Sequence, residues 1–204
     1  MLAAFFLIAV AVTIPSQTNA KAQAGGESAG AAQVYIGTAV GGGDFGNLVD
    51  GDLGSASVPF KLVITGLTSD QYTQAYANIL KTKGQQTTLE AMSNVRLGSF
   101  SLAGHPDAPV RFVQERRTEC GRSIVVLCDR WLNKFVEGYE DSSSEYPFAY
   151  IEVSVDNLGQ GEGMMFTVAK IKFYGPRGNA VGVEDYGNYP DRLTNVVAAQ
   201  VTAP

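Results

Sequence analysis

Pro147-Phe148-Ala149-Tyr150-Ile151-Glu152-Val153-Ser154-Val155 is the stretch on which the fold turns. Ala149, Ile151, Val153 and Val155 fall on one side of an extended chain, and Tyr150, Glu152 and Ser154 on the other. That period of two predicts a strand with one face on a core and one in solvent. The run from Arg122 to Cys128 (RSIVVLC) is apolar on both faces, which predicts an interior strand. Thr118-Glu119-Cys120-Gly121 and Asp156-Asn157-Leu158-Gly159 are short, turn-forming links and predict antiparallel hairpins. Further strand candidates are 33–40, 58–65, 95–102, 110–117, 164–174 and 180–185. A set of about eight short strands predicts an α+β chain built on an antiparallel β-barrel or β-sandwich.

One stretch breaks the pattern. Tyr72, Ala75, Tyr76, Ile79 and Leu80 recur at helical spacing and predict an amphipathic helix with these five on its buried stripe. Thr68-x-x-Gln71 has the form of a capping box, in which the Thr hydroxyl takes an orphan N–H of the first turn. Gly84 suits the left-handed position after a helix. Thr87-x-x-Glu90 repeats the box and predicts a second, shorter helix burying Leu89 and Met92, so the two form a helical hairpin inserted into the strands.

Outward from this body lie the ends of the chain. Leu2 to Ile14 (LAAFFLIAVAVTI) is an apolar run closed by Pro15, the length of a signal-peptide core and short of the roughly 20 residues that span a bilayer. Ala22-Gln23-Ala24 fits a small-residue cleavage site, with Thr18-Asn19-Ala20 a weaker rival. The organisation expected is therefore a signal peptide over 1–24, a flexible linker over 25–31, one β-rich domain over 32–197 and a tail over 198–204. The mature form is expected in the periplasm or outside the cell, with no membrane span.

Composition narrows the functions open to it. The 204 residues include 15 basic and 20 acidic side chains, a net charge of −5, which disfavours a nucleic-acid binder that must displace counterions with surplus Lys and Arg. A single His and two Cys disfavour a zinc site or a His relay, and no metal or cofactor is expected. With the 122–128 segment extended, Cys120 and Cys128 stand up to roughly 25 Å apart. A disulfide requires less than about 7 Å between Cα atoms. Cys128 is expected buried and Cys120 exposed or half-exposed, with no disulfide between them.

The series Tyr35-Ile36-Gly37-Thr38-Ala39, Leu67-Thr68-Ser69-Asp70, Leu80-Lys81-Thr82-Lys83-Gly84-Gln85, Gly121-Arg122, Asp129-Arg130, Tyr146-Pro147-Phe148, Gly159-Gln160-Gly161-Glu162-Gly163 and Arg192-Leu193-Thr194-Asn195-Val196 resembles a family of exported bacterial proteins with no assigned function. The likeness spans roughly residues 33–196 and implies no activity, substrate or cofactor. None of these motifs is a catalytic signature.

Three places could carry chemistry. His105, in Ala-Gly-His-Pro-Asp, is the only imidazole, and Asp107 is close enough in sequence to orient it; the plainer reading is a solvated turn. The segment Glu137-Gly138-Tyr139-Glu140-Asp141-Ser142-Ser143-Ser144-Glu145 gathers four carboxylates, which could serve acid/base hydrolysis of a glycan or peptide or hold Ca²⁺, or simply form a solvated loop. Gly-rich 156–163 admits a calcium reading too, though a hairpin turn accounts for it. If 118–121 is the hairpin loop, Arg117 and Arg122 face each other across two strands. Like charges so placed repel, and either Glu115 and Glu119 or a bound anion must neutralise them. With no nucleophile, base and orienting group gathered in the sequence, the expectation is a non-enzymatic domain binding an unknown small molecule or protein. The alternatives are an envelope hydrolase using Glu137, Glu140, Asp141 and Glu145, and an interaction module offering an open strand edge.

Overall fold

The computed structural model describes residues 32–41, 57–129, 145–176, 178–186 and 190–199. In chain order the elements are β1 (Gln33–Val40), β2 (Ser57–Ile64), α1 (Asp70–Met92), β3 (Gly98–Leu102), β4 (Ala108–Thr118), β5 (Gly121–Asp129), β6 (Phe148–Asp156), β7 (Gln160–Tyr174), β8 (Ala180–Tyr186) and β9 (Asp191–Ala199). Neighbouring strands run β6-β5-β4-β3-β2-β1-β9-β7, and β7 returns to pair with β6, closing an antiparallel eight-stranded barrel. The barrel and the helix match the α+β expectation; the sandwich alternative is set aside by the β6–β7 closure.

The alternation in β5 and β6 accounts for two cores on opposite sides of one sheet. Ile124, Val126, Cys128, Ala149, Ile151, Val153 and Val155 point into the barrel, where they meet Tyr35, Leu62, Phe100 and Met165. Val125, Leu127, Phe148 and Tyr150 point outward and form a second core with Phe112, Phe166, Ile171, Val181 and the helix residues Tyr76 and Met92. The face of β6 expected in solvent is therefore half covered: Phe148 and Tyr150 are buried, Glu152 is half-buried, and Ser154 and Asp156 beyond them are exposed.

What covers that outer face is the helix and a β-ribbon. β7 outruns the barrel: Phe148 of β6 pairs with Ala169, after which Ile171–Tyr174 pair with β8 alone. Two glutamines pin this ribbon. Gln114 of β4 donates from Nε2 to the Asn179 carbonyl and accepts from Val181 N–H, and Gln85 of α1 bonds both backbone groups of Ile171. Each side-chain amide thus supplies the donor and acceptor that a neighbouring strand would.

The helical insert departs from expectation in three details. Its N-cap is Ser69, whose hydroxyl accepts from Tyr72 N–H at 3.4 Å. Thr68 is occupied elsewhere, exchanging bonds with the backbone of Val113 through its N–H and its hydroxyl. Ala75 is exposed, and the buried side runs through Thr73, Tyr76, Thr88 and Met92. A hairpin is not clearly formed: α1 spans 23 residues, although its backbone turns non-helical at Gly84, φ 83°, where the first helix is expected to stop. The Gly84 carbonyl accepts from the Thr88 hydroxyl at 2.8 Å.

β9 was not among the expected strands. It seats Leu193 and Val196 in the barrel core, three residues apart, because Asn195 adopts φ 53° and interrupts the period of two. Its last residues, Ala198 and Ala199, pair with Tyr35 and Val34 of β1. Among the described residues no helix is long and apolar enough to cross a membrane.

Candidate functional site

Register places the site. Val113 of β4 points into the barrel, so Glu115 and Arg117, two and four residues on, share its side; Ile124 of β5 does the same for Arg122. Arg117 and Arg122 are direct partners across the β4–β5 hairpin, as the sequence predicts. They stand at the end of the barrel where β1 begins and β9 ends. A recess of about 730 Å³ opens there, lined by Gln33, Tyr35, Glu115, Arg117, Arg122 and Asp156 among others.

The polar groups of this mouth form a chain. Tyr35 donates its hydroxyl to Gln33 Oε1 at 2.7 Å, and Gln33 Nε2 reaches Glu115 Oε2 at 3.4 Å. Glu115 Oε1 lies 3.9 Å from Arg117 Nε, a loose ion pair in which the carboxylate is 13% exposed and the guanidinium side chain 90% exposed. The Arg122 guanidinium sits over the Tyr35 ring, 5.5 Å from its centroid. Burial raises the Tyr35 pKa above the ordinary tyrosine range; Arg122 opposes this and Glu115 adds to it. The phenol is therefore a hydrogen-bond donor at neutral pH.

Neutralisation of the two arginines is partial. Glu115 reaches one of them, at the limit of an ion pair, and Glu119 makes no ion pair with any described residue. The Asp156 carboxylate is turned to the hairpin, where Oδ1 accepts from the N–H groups of Leu158 at 2.8 Å and Gln160 at 2.9 Å. That turn chemistry, an Asx-type bond, accounts for the segment without calcium. Two guanidinium forks aimed at one recess suit a carboxylate or phosphate, whose oxygens accept paired N–H bonds.

The other candidates lie apart. His105 is half-buried in the β3–β4 turn, its N–H bonded to the Leu102 carbonyl at 3.0 Å, at the barrel end opposite Arg117. Asp107 beside it is exposed. Glu137, Glu140 and Asp141 lie outside the described residues. Glu145 is exposed and pairs with Lys170 Nζ at 3.3 Å; that ammonium lies 4.6 Å from the centre of the Tyr146 ring, and Tyr146 donates to Asp185 at 2.8 Å. Cys120 is exposed and Cys128 buried, as expected, and both are free thiols. Among the described residues no group of three or more His, Cys, Asp or Glu is placed to hold a metal ion.

Gln33 and Tyr35 were not singled out from sequence. Their membership depends on β1 reaching the arginine hairpin through barrel closure, and no local spacing encodes that. No protein-family model, curated protein or solved structure matches this chain.

Proposed function

We propose that this is an exported, non-enzymatic binding protein that holds a small anion at the barrel mouth, between Arg117 and Arg122. The observation that carries the reading is their direct cross-strand register at the lip of a recess, with one loosely placed carboxylate to offset two guanidinium charges. Facing like charges destabilise a sheet, and an anion bridging them converts that repulsion into two charge-assisted contacts. The half-buried Tyr35–Gln33–Glu115 chain beneath gives the site a floor. Export, to the periplasm or beyond, is supported by the apolar run Leu2–Ile14 and by the resemblance to exported bacterial proteins.

Native mass spectrometry of the protein recovered from its own host tests this. An acidic small molecule retained by the wild type and lost in the Arg117→Gln/Arg122→Gln double variant is the expected result. Identical adducts in both proteins, or none in either, would count against it.

A further inference from the structure

A second recess lies beside the helix, where β2 ends and β3 begins. It is a cleft of about 190 Å³ between the 65–69 loop, the first turns of α1 and the 93–97 segment that leads to β3. Leu67, Val95 and Leu97 supply apolar walls, with Tyr72, Tyr76 and Arg96 beside them. Tyr72 and Tyr76 stack with ring centroids 6.2 Å apart.

Tyr76 marks this cleft as more than a surface groove. The residue is only 6% exposed, it belongs to the outer core, and its hydroxyl makes no hydrogen bond to another described residue. It lines the cleft, and its hydroxyl is not among the fully buried atoms left without a partner. Burial, and then the neighbouring Tyr72, raise the Tyr76 pKa, so the group presented is a donor. Arg96, exposed at the rim, makes no ion pair with any described residue. The N-terminus of α1 adds the positive end of its dipole, partly offset by the exposed Asp70.

We infer that this cleft binds a small monocarboxylate with an aromatic or branched apolar body, its carboxylate taken by Arg96 and the Tyr76 hydroxyl and its body seated on Leu67, Val95 and Leu97. The volume suits one ring: an apolar cavity of about 150 Å³ admits benzene. The site shares no lining residue with the arginine mouth, and it does not depend on that mouth binding anything.

Benzoate is the probe, with neutral benzamide as its isostere, titrated into the full chain by calorimetry. Saturable benzoate binding at a single site is expected, with benzamide at least about tenfold weaker for want of the charge-assisted contact. Arg96→Gln should weaken benzoate by about 10- to 100-fold, and Tyr76→Phe, which keeps the ring packing, by about 3- to 10-fold. The Arg117→Gln/Arg122→Gln variant should bind benzoate as the wild type does. Circular dichroism melts of each variant establish that the fold persists. Absence of saturable binding in the wild type, equal affinity for benzamide, or affinity unmoved in both Arg96→Gln and Tyr76→Phe would overturn the inference. So would loss of binding in the mouth variant, which would place benzoate there instead.

Discussion

Gln85 in the helix meets Ile171 in β7 as though it were a strand: its Nε2 donates to the Ile171 carbonyl at 2.8 Å and its Oε1 accepts from the Ile171 N–H at 3.1 Å. Ile171 stands just past the last β6 pairing and beside a register shift against β8, where one backbone edge would otherwise go unmet. Gln85→Ala should therefore lower stability by about 1–3 kcal/mol, the penalty for stranding half-buried polar groups, and speed amide exchange at Ile171. Gln86→Ala, which removes only an exposed contact to Glu90, should shift stability by less than about 0.5 kcal/mol. Urea denaturation of the two variants side by side checks the difference.

Arg111 fastens the end of the helix to the barrel. Its Nε and Nη2 grip both oxygens of Asp129 at 3.0 and 2.8 Å, and its Nη1 donates to the carbonyls of Ser93 and Val95, just past the end of α1. Planar, forked donation of this kind is beyond a lysine ammonium. Arg111→Lys should thus recover little of what Arg111→Ala loses, both falling about 1.5–3 kcal/mol below wild type in denaturant titrations. Recovery of most of the stability by Lys would show that charge alone matters there.

The two thiols should separate cleanly. Cys120 is exposed and should react with a thiol reagent at once; Cys128 is buried in the barrel and should react only on unfolding. Burial raises the Cys128 pKa far above the ordinary thiol range, with Asp129 adding to it and Arg111 opposing. The unfolded chain therefore releases this proton above pH about 8.5 while the folded chain keeps it. With fewer protons bound in the unfolded state, stability must fall as pH rises through that value. Cys128→Ala should flatten the decline between about pH 8.5 and 10, measured by denaturation at each pH.

The fold was most legible where one residue pattern met one environment. β5 could be read as an interior strand because Ile124 to Cys128 are apolar on both faces, and both faces are buried. The pairing of Arg117 with Arg122 followed from the length of the loop between them. Legibility failed where backbone irregularity or distant partners decide. Asn195 shifts the alternation of β9 by one residue, so Leu193 and Val196 share a face that period-two reading assigns to opposite sides. Thr68 has every local feature of a cap yet spends its hydroxyl on Val113, 45 residues away, leaving Ser69 to begin the helix. The floor of the mouth was hidden for the same reason, because Tyr35 reaches Arg122 only across a closed barrel.

Calorimetric titration with inorganic phosphate, at low ionic strength, tests the anion-binding mouth most directly. Wild type should bind one phosphate, Arg117→Gln and Arg122→Gln should each weaken it by about 10- to 100-fold, and the double variant should show no saturable heat. Phosphate binding of equal strength in wild type and double variant, or none in the wild type, would contradict the account.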